Sequence, residues 1–158
     1  MRPPVFHRDQ RGAVAIEFAV LFSIFFAVLY AIIAYSLPLL LMLTFKQVAA
    51  DAARATIAVD PAVENYRDNL ETQVRAEIGK SWIANTEWYT HCPPSDNESS
   101  GDDGYSKLAA NGRTLTVCIR YTSDNYNDNP IVPTLTLPVI GQIPQLPMLI
   151  EGTSTIRL

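Results

Sequence analysis

Read from the amino end, the pattern of apolar and polar positions changes four times. A short leader, Met1 to Arg11, carries Pro3 and Pro4 and shows no periodicity, so it reads as an irregular segment. It gives way to 33 residues, Ala13 to Phe45, with a single charge at Glu17. As one helix this stretch is roughly 50 Å long against a hydrocarbon core of about 30 Å, so it spans a bilayer with turns to spare. Pro38 removes one hydrogen bond within it and is expected to kink the rod. Beyond it Phe45, Val48, Ala52, Ala55 and Val59 recur every 3 to 4 residues, which continues the helix as an amphipathic stem. The small residues Ala49, Ala52, Ala53 and Ala55 suit close packing against other helices or, equally, against the stem's own domain.

Asp60-Pro61 predicts a new helix start, with Asp as cap and Pro in the first turn. The helix that follows places Val63, Tyr66, Leu70, Val74, Ile78 and Trp82 on one side, and Glu64, Arg67, Asp68, Glu71, Arg75 and Glu77 toward water. Gly79 weakens its last turn. Trp82, Trp88 and Tyr89 read as ordinary packing at the helix end, with a binding platform as the sharper alternative. Regularity is lost from Thr90 to Gly112. Period-2 alternation then takes over: Leu115, Val117, Ile119 and Tyr121 define a half-buried strand. Thr134 to Val139 gives a second run, with Leu135, Leu137 and Val139 on one face. Met148 to Leu158 gives a third, with Met148, Ile150, Ile156 and Leu158 inward and Gly152 as a bulge. Pro130, Pro133, Pro138, Pro144 and Pro147 restrict the middle run to an edge or to short pairing. The predicted class is α+β: a long amino-terminal transmembrane helix continuing as a stem, a second amphipathic helix, and a small antiparallel sheet laid against them.

Three readings of the long apolar stretch compete: a cleaved secretory signal, a plain anchor, and an inserted segment processed at its amino end. The uncharged run Phe18 to Phe45 is 28 residues, far beyond the 7 to 15 or so of a secretory core, and reads as a stop-transfer span. Arg2, Arg8 and Arg11 precede it, which places the amino terminus in the cytoplasm and the remainder outside. Glu17 is unexplained by a plain anchor, since an acid inside a transmembrane helix costs about 2.5 to 3.5 kcal/mol at the centre and less near an end. Were the chain cut between Gly12 and Ala13, Glu17 would lie one helical turn from a new α-amino group. It could then pair with that cation in its own or a neighbouring subunit.

Arg11-Gly12, then Ala13-Val14-Ala15-Ile16, then Glu17-Phe18 resembles the processing site of type IV prepilins. The alanine-rich version ahead of Glu-Phe is most similar to the TadE-type pseudopilins of the tight-adherence (Tad, or Flp) pilus system. The segment Gln47 to Arg54 is similar to the alanine- and arginine-bearing helix that follows the span in that family, and Ile150 to Arg157 looks like its closing strand. The resemblance implies a pilin-like fold divided into a cytoplasmic leader (1–12), a transmembrane helix (13–45) and an extracytoplasmic α+β domain (46–158). It also implies cleavage by prepilin peptidase after Gly12, with Glu17 and Phe18 setting register in assembly. The expected partners are the peptidase, other pilins and pseudopilins, and the inner membrane. The function so implied is pilus assembly, and through it surface adhesion or biofilm formation. The family's major filament protein typically carries Tyr where this chain has Phe18, which favours a minor subunit. The alternative is an unprocessed single-pass anchor that displays an extracytoplasmic binding module.

Composition narrows the remainder. At 158 residues there is room for the span and one domain of about 100 residues. The net charge of -4 becomes -6 once residues 1–12 are removed, which argues against nucleic-acid binding. Cys92 and Cys118 offer one pairing, and an oxidising compartment outside the cytoplasmic membrane favours the disulfide. Metal binding by these two and His91 lacks a fourth ligand, so neither metal nor other cofactor is expected. Asp96, Glu98, Asp102 and Asp103, with Asp124 and Asp128, offer calcium-type oxygens without an EF-hand spacing; solvated acids are the simpler reading. With no phosphate loop, nucleophile elbow or paired metal spacing, no catalytic residues are assigned and an enzyme is not expected.

Overall fold

The computed structural model describes residues 11–93, 104–124, 126, 128–138 and 141–158. Helix α1 runs Arg11–Ala55, 45 residues with Pro38 inside, and is therefore roughly 67 Å long. It has two parts with opposite surroundings. From Gly12 to Ile33 no residue is buried, whereas beyond it Ala34, Pro38, Leu41, Phe45, Val48, Ala49, Ala52 and Ala53 recede into the protein at 3 to 4 residue intervals. The stem is thus continuous with the apolar stretch. Its small-residue stripe is used within the chain itself, because Ala49, Ala52 and Ala53 are fully covered by the domain.

A 3-10 turn, Thr56–Ala58, ends α1, and the Thr56 hydroxyl donates to the Ala53 carbonyl. Helix α2 spans Tyr66–Ile78, five residues later than Asp60-Pro61 predicts. The Asp60 carboxylate accepts the amide of Ala62 two residues on, closing a turn rather than capping a helix, and Asn65 takes a left-handed conformation (φ 60°) before α2 begins. Leu70, Val74 and Ile78 form the buried face as expected. Val63 and Trp82 lie outside the helix and are exposed.

The main sheet is antiparallel and centred on β3 (Thr114–Tyr121), whose Leu115, Val117, Ile119 and Tyr121 are buried in strict alternation. One edge of β3 is shared end to end by two three-residue strands, β1 (Tyr89–His91) and β2 (Ser106–Leu108). The other edge takes β6 (Glu151–Arg157) over seven paired positions. The run beginning at Thr134 does not join this sheet. It forms β4 (Leu135–Leu137), which pairs with β5 (Gly141–Ile143) in a separate two-stranded hairpin. Leu135 is exposed there.

The core lies between the stem of α1, α2 and the inner face of β3, with Phe45, Leu70, Ile83 and Tyr126 among its fully buried side chains. Gly152 is no bulge, since its register with Ile119 is regular. A Cβ at that position would collide with the backbone of Phe45 and Lys46, so the glycine lets β6 lie directly on α1. Met148, expected inward, is exposed because the chain reaches the sheet only at Ile150.

Candidate functional site: the uncovered end of the long helix

The residues singled out for processing and register stand together on the first two turns of α1. Gly12 is the second residue of the helix, and a Cβ added there would meet nothing within 4 Å. Glycine in a helix is up to about 1 kcal/mol less favourable than alanine, and among the described residues no contact requires it. Ala13 is exposed. Glu17, one turn further on, is exposed as well, and no described residue pairs with it. Phe18 begins an aromatic ladder at four-residue spacing, with ring centroids 5.7 Å apart for Phe18–Phe22 and 4.4 Å for Phe22–Phe26. Phe18 is 66% exposed. A carboxylate and a row of phenyl rings therefore project from a helix end that the fold leaves uncovered, and the apolar exposure continues through Leu37, Leu40 and Leu43 on the side away from the domain. The helix is long and apolar enough to cross a membrane.

The two cysteines lie at the other end of the molecule's logic, in the sheet. Cys92 follows β1, whose His91 pairs with Ile119, and is bonded to Cys118 on β3 with Cα atoms 5.7 Å apart, within the ordinary span for a disulfide. The bond sits where the edge of β3 passes from β1 to β2, and Cys118 donates its amide to the Tyr105 carbonyl. Glu151 approaches both sulfurs, the three candidate ligand atoms lying within 4.8 Å. A disulfide offers no thiolate, so the trio is a structural staple beside a surface acid rather than a metal centre.

Glu71 departs most from expectation. Predicted to face water, it accepts hydrogen bonds from the amides of Tyr105 (3.1 Å) and Ser106 (2.9 Å) and from the Ser106 hydroxyl (2.6 Å), and it pairs with Arg75 at 2.7 Å. It thereby ties α2 to the start of β2, with Gly104 leaving room for the carboxylate. The Arg75 guanidinium lies over the Tyr105 ring, and burial, followed by the neighbouring Tyr89, raises the Tyr105 phenol above its ordinary value. No local pattern marks Glu71, because its partners are 34 and 35 residues away. Trp82 and Trp88 meet edge to face at 6.5 Å but both remain exposed, contrary to the expectation of ordinary packing. Tyr89 instead packs at a tilt against Tyr105, with ring centroids 5.9 Å apart. Of the acidic loop, Asp96, Glu98, Asp102 and Asp103 lie outside the described residues. Asp124 is paired with Arg120 at 2.6 Å, and Asp128 is exposed.

The hairpin of β4 and β5 returns toward the uncovered end of α1. The Tyr30 hydroxyl donates to the Pro133 carbonyl, and the Gln145 amide donates to the Tyr35 hydroxyl at 3.1 Å. An apolar cleft between the two elements is lined by Phe26, Ala27, Val28, Tyr30, Leu135 and Ile143 among others.

Comparison with curated proteins and with solved structures returns no match. Residues 12–54, the uncovered end of α1 with Gly12, Glu17 and Phe18 together with its buried stem, match the family model described as TadE-like protein, the family that the Gly12 to Phe18 motif resembles.

Proposed function

We propose that the chain is a minor pilin of a Tad-type system, cut by prepilin peptidase after Gly12 and incorporated through α1 into a pilus or its assembly complex, where it serves surface adhesion. The observation that carries this reading is the uncovered end of α1. Gly12 and Glu17 each go against the local preference, the one for helix propensity and the other for an apolar span, and neither finds a use within the described chain. Uses outside the chain account for both: a peptidase that accepts only a small residue before the cut, and a neighbouring subunit's new amino group at Ala13 as counter-charge for Glu17. The match of residues 12–54 to the TadE-like family supports the same reading. The amino terminus lies in the cytoplasm and the domain outside the inner membrane, following the leader arginines.

Two variants test it. Gly12→Leu is expected to insert in the membrane but keep its leader. Glu17→Leu is expected to lose the leader normally and fail to enter the pilus, because it leaves a buried amine without its partner, a loss typically worth about 3 to 5 kcal/mol. Wild-type incorporation of Glu17→Leu would remove the register role. A second reading, an unprocessed anchor displaying a binding module, draws on the exposed Trp82–Trp88 pair. It predicts that Gly12→Leu changes nothing.

A further inference from the structure

We infer that the hairpin of β4 and β5 lies in the hydrocarbon of the bilayer leaflet nearest the domain, packed against α1, so that the protein meets lipid through two elements. The inference rests on α1 spanning the membrane. A bilayer core takes about 20 helical residues, and the apolar stretch available is Ala13 to Phe45. Placed as early as Ala13 or as late as Phe45, any window of about 20 residues contains Phe26 to Ala31. Of these, Phe26, Ala27, Val28, Tyr30 and Ala31 line the cleft with Leu135 and Ile143. With the span in the uncovered half of the helix, Gly12 to Ile33, these residues lie toward the domain, so the hairpin sits at hydrocarbon depth in the leaflet nearest it.

Its chemistry suits that place. From Asn129 to Ile150 the chain has 22 residues without a charge, between Asp128 and Glu151. Backbone polar groups in lipid must be satisfied internally. Five of these residues are prolines (130, 133, 138, 144 and 147) and carry no N–H. The β4–β5 ladder pairs others. Tyr30 and Tyr35, both on α1, bond to the Pro133 carbonyl and the Gln145 amide on the hairpin's two flanks. Leu135 and Leu149 nonetheless point away from the protein, 47% and 38% exposed. The acyl chains that surround the uncovered end of α1 are continuous with that apolar surface, which makes lipid the occupant.

The test uses the full chain in phosphatidylcholine and phosphatidylglycerol vesicles, with Trp82→Phe and Trp88→Phe removing the native fluorophores. Single reporters are then placed at Leu135→Trp, at its cross-strand partner Ile143→Trp in case the first disturbs the hairpin, and at Phe22→Trp within the span. With lipids brominated along the acyl chain, both hairpin reporters are expected to be quenched as strongly as Phe22→Trp, at every protein-to-lipid ratio. Hairpin reporters quenched by aqueous iodide instead, while Phe22→Trp responds to bromine, would overturn the inference and leave the span intact. Shielding from both quenchers that weakens as protein is diluted in lipid would overturn it in favour of a second copy as occupant. If Phe22→Trp also escapes bromine, the span itself fails and the inference with it.

Discussion

The two halves of α1 are built from the same kinds of residue and put to opposite uses. Between Gly12 and Ile33 the helix is apolar on every side apart from Glu17 and nothing of it is buried, whereas between Ala34 and Ala55 one face is buried by β6, α2 and β3 and the other is not. In the second half the reason for each apolar residue can be found inside the molecule: Phe45 and Leu41 fill the core, and Ala49, Ala52 and Ala53 admit close neighbours. In the first half the described residues offer no such reason, and the proposed function looks for it outside the molecule, in lipid, in a processing enzyme or in other subunits. The 22 residues from Gly12 to Ile33 make roughly 33 Å of helix, close to the thickness of a bilayer core. A helix with no buried residue and a length close to the bilayer core has the length and composition to cross a membrane.

The contrast is sharpest for aromatic truncations. Phe45→Ala is expected to lower the domain's unfolding free energy by about 3 to 5 kcal/mol, while Phe22→Ala in the uncovered half leaves it unchanged. Denaturant titration in detergent, followed by tryptophan fluorescence, compares them, and equal effects would erase the distinction. Replacing Cys92 and Cys118 together by Ser should remove roughly 3 to 4 kcal/mol from the same transition on the loop-entropy estimate. Leader removal should be untouched, since the bond lies in the sheet and Gly12 does not contact it. Gly152→Ala should cost about 1 to 3 kcal/mol by forcing β6 off the α1 backbone, whereas Gly12→Ala, which meets nothing, should leave the domain's midpoint where it is.

The smallest effect is in pH. Burial raises the phenols of Tyr105 and Tyr121, with Tyr89 and Tyr126 respectively adding to it. A folded value above the unfolded one stabilises below the ordinary tyrosine value and is lost as pH rises through the folded one. Domain stability should therefore decline from about pH 10 upward. Tyr105→Phe should flatten that decline when unfolding midpoints are measured across the alkaline range.

Much of the architecture was legible because long elements repeat their period many times. The apolar stretch from Ala13 and the alternation from Leu115 to Tyr121 lie where the sequence pattern placed them, and the closing strand occupies the later part of its expected run, from Glu151 rather than Met148. Strands β1, β2 and β5 are three residues each, too short for a period of two to register, and they exist because β3 and β4 offer edges. Asp60-Pro61 misplaced the start of α2, since an aspartate serves a tight turn as readily as a helix cap. Glu71 looked like a solvated residue on a polar face because its role depends on amides brought to it by folding. The hairpin was readable as a strand but not as a companion of α1, for that placement depends on Tyr30 and Tyr35 more than a hundred residues earlier. At the candidate site the spacing of Gly12, Glu17 and Phe18 was legible outright. Only the structure adds that, among the described residues, Gly12 meets no neighbour and Glu17 has no partner.

The role proposed for the uncovered end of α1 requires Gly12 to be the last residue of a removed leader. The most direct measurement is the intact mass and amino-terminal peptide of the protein recovered from membranes of cells that express a prepilin peptidase, compared with cells that lack it. A chain beginning at Ala13 only where the peptidase is present is the predicted result. A chain beginning at Met1 in both would contradict it.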